Sequence, residues 1–497
     1  MSIAARARCT LLALTVLLVG AAGAAEPRLR WFDANGQASS LGREAAAILA
    51  AAAADGLDPA DYVVSAADGD AALQDTFLRY LRHLRLGRVR SKDLGFRVDN
   101  GARTEQDIAA RLQAAVDAGR LQPVVGEMAP PLAQYRQLRE ALARYRGLAA
   151  GPAFAALPPV AKKLVPGEPY AGTAALRERL LAFGDLGADV AVSSTHYDQA
   201  LAEAVRRFQA RHGLEVDGVV GRSTFAALNV APARRVRQIE LAMERLRWLP
   251  LRSGRPFVAI NIPMFRLWAW DAGAAEPAPT LSMGVIVGRA MRTSTPVFAD
   301  EMTHLIFRPY WNVPRSILRN EVLPAVERDS SWLARHDMEV VSGQGDDAKP
   351  VGLSAQSLDA LRSGALRVRQ RPGPKNSLGL VKFIFPNDDN VYLHGTPATS
   401  LFARSRRDFS HGCVRVEQPT ALAQWLLKDQ PAWTAERIAA AMDADRPQQV
   451  NLVAPVPVIL YYITAAVTPD DGLLHFADDI YGHDAALERA LARGRAR

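Results

Sequence analysis

Phe257-Val258-Ala259-Ile260-Asn261-Ile262-Pro263-Met264-Phe265-Arg266-Leu267-Trp268-Ala269-Trp270 holds two apolar runs on either side of Pro263-Met264. Branched and aromatic residues flanking a turn-forming proline read as a hairpin. Leu281, Met283, Val285, Ile286 and Val287 before Gly288 continue the pattern, and further strands are expected at 303–307, 380–385, 391–393, 413–416 and 458–464. The C-terminal half is therefore expected to be mainly β, with a mixed insertion over 310–375 that carries a helical stretch at 316–328. So long an insertion in a β domain is more often a lid or a partner surface than an idle loop.

Upstream of the hairpin the periodicity is helical. Residues 45–54, then Leu73, Phe77, Leu78, Leu81, Leu84 and Leu86, then Tyr135, Leu138, Leu142 and Tyr145 recur at three- and four-residue spacing. His83 sits in an arginine-rich stretch and is expected at the surface. Pro152, Pro158, Pro159, Pro166 and Pro169 interrupt the pattern and mark a boundary. From 170 to 232 an amphipathic helix ends at Gly213, a glycine-bearing turn follows, and a short helix begins near Ser223 or Thr224. The fold class is thus α+β, with a helical scaffold domain over 26–165, a small helical module over 170–232, a mainly β domain over 250–465 and a C-terminal tail over 466–497.

Residues 1–25 have the build of a signal peptide. Arg6 and Arg8 precede the apolar run from Leu11 to Val19, and small residues follow through Ala25. The run is shorter than the roughly 20 residues of a membrane-spanning helix, so no stable membrane span is expected once it is cleaved. Hydrophobic residues at 49% with 23% charged exclude a disordered chain or a multi-span membrane protein. The formal charge of +8 is spread along the chain instead of gathered in a stripe, so nucleic acid is not an expected partner.

The two cysteines are Cys9, inside the signal, and Cys413. A thiol without a partner in an exported chain is open to oxidation and needs a reason to exist. Nucleophilic catalysis is one. If Cys413 begins a strand, Val414 and Val416 face the core while Cys413 and Arg415 share the opposite face. Either His411 or His394 can serve as the proton acceptor. Arg415 and the arginines of 404–407 are expected to depress the thiol pKa. Gly412 leaves room for an acyl group, and the Gly412 and Cys413 amides are candidates to face an oxyanion. The histidines and single mature cysteine have no zinc-ligand spacing, so no metal and no cofactor are expected.

Tyr392-Leu393-His394-Gly395-Thr396 followed by Ser410-His411-Gly412-Cys413-Val414-Arg415-Val416 resembles the active-site signature of the L,D-transpeptidases. The run from Ala204 to Asn229 is similar to the peptidoglycan-binding module of cell-wall enzymes, and the domain order resembles the large periplasmic members of Gram-negative bacteria, in which the insertion caps the substrate. The resemblance implies Cys413 as nucleophile, His394 as general base and the Gly395 carbonyl as its orienting partner. His411 and Ser410 would shape the site, Gly412 would supply an oxyanion amide, and Arg415 and Tyr392 would line the substrate cleft. Trp311, Asn312 and Arg315 are candidate contacts of the capping insertion. It further implies a periplasmic enzyme acting on peptidoglycan stem peptides and glycan, with other wall-synthesis proteins as further partners. The reaction would be 3-3 cross-linking through a thioester, with carbapenem-type β-lactams acylating Cys413. An L,D-carboxypeptidase or thiol peptidase, or a wall-binding scaffold protein with an inert cysteine, stands as the alternative.

Overall fold

The structure, a computed structural model, describes residues 31–33, 35–98, 105–250, 254–273, 278–290, 293–345 and 347–495. The expected signal peptide over 1–25, with Arg6, Arg8 and Cys9, lies outside the described residues. Among the described residues no helix is long and apolar enough to cross a membrane.

The expected helices form at Ser40–Ala50, Gly69–Leu86 and Ala133–Ala150. Ser39 caps the first by accepting from the Gly42 amide, which satisfies one of the donors a helix start leaves open. Phe77, Leu81, Leu84, Leu138 and Leu142 bury together with Ile239, Met243 and Leu246 of a further helix, Pro232–Leu246, and with Trp268 and Ile459 from the β half. Scaffold and β domain thus share one core, and Pro232–Leu246 lies between them. His83 is not a surface side chain: it is half-buried, bonds the Tyr62 hydroxyl at 2.8 Å, and burial pushes its pKa down to about 3.

In the small module, helices Thr173–Phe183, Gln199–Arg211 and Arg222–Leu228 enclose Leu176, Leu180, Leu201, Val205 and Phe208. Its last helix is capped by Gly221, so Ser223 and Thr224 lie inside it; Thr224 instead accepts the Gln209 side-chain amide at 3.1 Å. The module docks through Arg211, whose buried guanidinium pairs with Asp185 at 2.6 Å and donates to the Leu474 carbonyl at 2.7 Å.

Among the described residues nine strands make the main sheet, in the order Asp408–Ser410, Leu281–Gly288, Val414–Val416, Leu393–His394, Val381–Ile384, Phe298–Phe307, Gln448–Tyr461, Phe257–Asn261 and Arg266–Trp270. Arg266–Trp270 also pairs with Leu281–Gly288, so eight of them close into a ring. Its interior is filled by Val258, Ile260, Met283, Val285, Leu305, Phe383, Leu393, Val414 and Leu460. The insertion is a separate lobe with its own four-stranded sheet and a core of Ile317, Leu318, Val322, Leu333, Val340 and Val368. Its helical stretch runs from Arg315 to Arg328, with a π-turn at Leu318–Val322.

Residues 466–495, expected as a tail, are built into the domain. Ala465–Val467 pairs with Leu474–Phe476, and helix His483–Arg495 buries Leu487 and Leu491, one turn apart, in the ring's core.

Candidate active site

Register decides what shares a face with the thiol. Leu393–His394 runs parallel to Val414–Val416, with Leu393 opposite Val414 and His394 opposite Arg415, and antiparallel to Val381–Ile384, with His394 opposite Lys382. Side chains alternate along a strand. Phe383, Leu393 and Val414 point into the core, so Lys382, His394 and Arg415 form one rung on the other face, with Tyr392 and Cys413 beside it. Cys413 is half-buried and His394 is buried.

The turn that carries Cys413 is stitched on both sides. Gly412 has φ +117, a conformation side-chain-bearing residues rarely adopt. Its carbonyl accepts from Thr295 Oγ1 at 2.8 Å, and Thr295 in turn accepts the Gly288 amide at 2.8 Å. The Ser410 hydroxyl donates to the Cys413 carbonyl at 2.5 Å and accepts the Gly412 amide at 3.2 Å. The Ser410 carbonyl accepts from the Arg289 amide at 3.0 Å and Thr293 Oγ1 at 3.2 Å. Tyr481, from the C-terminal segment, donates to the Gly288 carbonyl at 2.6 Å and braces the far side of this turn.

The electrostatics differ from the expected thiolate. Burial pushes the Cys413 thiol up, and hydrogen bonding to Tyr392 with the charges of Lys382 and Arg415 opposes this without reversing it. The thiol donates toward the Asn390 carbonyl at 3.7 Å. The preceding arginines do not serve it: Arg406 pairs with Asp408 at 2.7 Å, and Arg407 is spent on the carbonyls of Val285, Phe402, Arg404 and Phe265. Burial, then the Arg415 charge, push His394 down to about 3, so its imidazole is neutral. Its Nδ1 lies 2.5 Å from the Gly395 carbonyl. A carbonyl only accepts, so Nδ1 carries the proton and Nε2 keeps the lone pair.

His411 does not join this rung. Its ring is exposed, and Nε2 meets Glu321 Oε1 of the insertion at 2.8 Å. The expectation that Gly412 offers an oxyanion amide also needs correction, because that N–H is given to Ser410 Oγ. In the insertion, Trp311 packs against the lobe's own core and Arg315 donates to the Ser363 carbonyl at 3.0 Å; Asn312 lies in an edge strand opposite Arg369.

Four residues at the site escape a reading by motif: Lys382, Asn390, Glu321 and Tyr481. Only Lys382 leaves a signal, as a lone charge in the apolar run Val381-Lys382-Phe383. Its ammonium stands 3.8 Å over the Tyr392 ring. Among the described residues no three His, Cys, Asp or Glu side chains gather as a metal site needs.

A closed β ring lays a cysteine, a neutral histidine and two cations on one face, beside a lobe that reaches the cysteine's own turn. Residues 255–438 match the family model of the L,D-transpeptidase catalytic domain, residues 24–142 that of the scaffold domain and residues 170–228 that of a peptidoglycan binding domain. Residues 255–438 are thus similar to the catalytic domain of the L,D-transpeptidases, with the scaffold and peptidoglycan-binding matches preceding them in the chain. A Haemophilus influenzae protein provisionally assigned as an L,D-transpeptidase is 33% identical over 254 residues, which are 50% of this chain and 49% of that protein. The chain therefore spans about half the length of that relative. A solved L,D-transpeptidase from Xylanimonas cellulosilytica is 19% identical, covering 61% of this chain and all of that one, with a TM-score of 0.18. L,D-transpeptidase 3 from Mycobacterium tuberculosis, in complex with a faropenem-derived adduct, is 12% identical over 42% of this chain and 60% of its own, with a TM-score of 0.19.

Proposed function

We propose that the protein is a cysteine-dependent L,D-transpeptidase of the periplasm, exported by residues 1–25, that forms 3-3 cross-links in peptidoglycan. The observation that carries this reading is the placement of Cys413 and a neutral, Gly395-oriented His394 on one face of a domain of this family.

Both groups start uncharged. As Cys413 Sγ attacks the carbonyl carbon of the third stem-peptide residue, the thiol proton passes to His394 Nε2. The imidazolium that forms is held by the Gly395 carbonyl, and the oxyanion faces the Cys413 amide, since Gly412's is engaged. Collapse breaks the C–N bond to the terminal D-Ala, whose amine takes the proton from His394, leaving a thioester. A side-chain amine of a neighbouring stem then attacks, the Cys413 sulfur leaves, and it recovers its proton. Arg415 and Lys382 suit the carboxylates of the stem. Tyr392 lines the cleft, Ser410 holds the turn and His411 joins it to the cap. The peptidoglycan-binding module would keep the chain on glycan and stem peptides, beside other wall-synthesis proteins.

Incubation of the purified protein with a tetrapeptide muropeptide tests this directly. The expected products are a 3-3 dimer and free D-Ala, with a transient acyl adduct in the intact-protein mass and none for Cys413→Ala. Carbapenem is expected to add its mass at Cys413. Release of D-Ala without dimer assigns a carboxypeptidase instead, and dimer at parent level from Cys413→Ala sinks the proposal.

A further inference from the structure

The scaffold domain reaches the thiol through one arginine. Phe96 and Val98 are buried in the ring's core, so Arg97 between them projects outward. Its backbone is pinned to the ring: the Arg97 amide donates to the Val297 carbonyl at 2.9 Å, and the Ala299 amide to the Arg97 carbonyl at 3.2 Å. Its guanidinium lies 5.4 Å over the Phe298 ring and pairs with the carboxylate of Asp389.

Asp389 belongs to a tight turn. Asn387 Oδ1 accepts the amides of Asp389 and Val391 at 3.1 Å each, and its Nδ2 donates to the carbonyls of Phe385 and Val391 at 2.7 Å each. Asn390, at the end of the turn, has φ +53, and its carbonyl is the one facing the Cys413 thiol. The path from scaffold to sulfur therefore runs through an ion pair, one turn and one weak hydrogen bond.

We propose that Arg97 is a positioning residue for Cys413: by holding Asp389 it fixes the Asn387–Asn390 turn, and with it the carbonyl that accepts from the thiol and aims it. The proposal rests on the transpeptidase reading only for its catalytic consequence. The pair is partly exposed, with side-chain exposures of 48% and 32%, so it adds little to global stability. Its effect is local, on a thiol whose other neighbours, Tyr392, Lys382 and Arg415, stay in place. Releasing the turn removes an acceptor that favours S–H over thiolate.

Iodoacetamide alkylation of Cys413 in the full chain, located by peptide mass and followed against pH, tests it. Arg97→Ala and Asp389→Ala are each expected to raise the rate by about two- to fivefold, the scale of one exposed ion pair, and to move the profile to lower pH. The swap Arg97→Asp with Asp389→Arg is expected to restore both. Unmoved profiles in both single variants overturn the proposal, as does a swap no better than the singles. Should Arg97→Ala not fold, Asp389→Asn, which removes the pair's negative charge and leaves Arg97 and the Asn387 hydrogen bonds in place, is expected to show the same shift, and its absence is equally decisive against the idea. Iodoacetamide reports the sulfur whatever reaction it performs. A shifted profile in a protein that makes no cross-links keeps the coupling and removes the transpeptidase reading; cross-linking with unmoved profiles removes the coupling alone.

Discussion

Glu321 of the inserted lobe meets His411, two residues before the thiol, at 2.8 Å. The two ends of the contact lie ninety residues apart, both exposed, one on the inserted lobe and one on the turn before Cys413. It is the lobe's polar hold on the turn that carries Cys413. An exposed pair of this kind is worth no more than about 1 kcal/mol. Glu321→Ala is thus expected to raise KM for a muropeptide by about fivefold at most and leave kcat near its parent value, because a cap that closes less often weakens binding more than chemistry. Steady-state kinetics of the parent and the variant check this. A fall in kcat at constant KM contradicts it.

Two cations, Lys382 and Arg415, flank the His394 rung and pull the thiol toward ionisation against its burial. Removing either charge while keeping the stem, as in Lys382→Met or Arg415→Met, leaves the burial penalty less opposed. The alkylation midpoint of Cys413 is expected to move up, slowing the reaction at fixed neutral pH by roughly three- to tenfold. The same variants are expected to raise His394 above its pKa of about 3, since both cations hold it down. Imidazole proton shifts against pH check the second effect. An unmoved thiol midpoint in both variants rules out the assignment.

The site was legible where chemistry follows the chain and hidden where it depends on contacts across it. Alternation placed Cys413 and Arg415 on one face and Val414 and Val416 in the core, because a strand repeats every two residues whatever lies around it. Which histidine joins the thiol was not a matter of spacing. His411 is nearer in sequence, yet the parallel pairing of Leu393 with Val414 is what brings His394 to the rung. The thiol's net direction was misread for a related reason. Arginines close in sequence looked available, but Arg406 and Arg407 are consumed by Asp408 and by four carbonyls. Helix Pro232–Leu246 likewise shows its place only in three dimensions, where it is buried between two domains.

Gly412 offers a sharper test of the turn. At φ +117 a β-carbon is strained whatever room there is, and the nearest heavy atom to it would be the Thr293 carbonyl oxygen at 3.8 Å. Gly412→Ala therefore meets backbone strain and no steric wall, at about 1–3 kcal/mol. The expected outcome is a folded protein of lower melting temperature whose turnover falls at least tenfold, since relief of the strain rotates the Ser410–Cys413 segment away from its hydrogen bonds. Parent-level turnover with a lowered melting temperature would mean that the turn's geometry serves stability alone.

Burial holds His83 and His394 down to about 3 and His483 to about 4, against an ordinary value of 6.5. A histidine with a depressed folded pKa binds its proton in the unfolded chain first. Between about pH 6.5 and pH 3 the unfolded state therefore carries more protons, and stability rises with pH across that window. The contribution is complete above about 6.5 and is lost as the pH falls through the folded values. Each such group is worth up to about 1.4 kcal/mol per pH unit inside the window. Unfolding at pH near 5 is accordingly expected to take up close to one proton per buried histidine. Carboxylates titrate nearby, so the measurement that isolates the effect is a comparison of urea midpoints against pH for the parent and His483→Gln. His483 packs edge-on against Phe96 at 4.8 Å and Tyr462 at 4.7 Å, and Gln keeps much of its volume without its titration. The variant is expected to be less stable at neutral pH but to lose stability more gently on acidification, with uptake reduced by about one proton. Parallel midpoint curves for the two proteins would show that His483 is free to charge in the folded state.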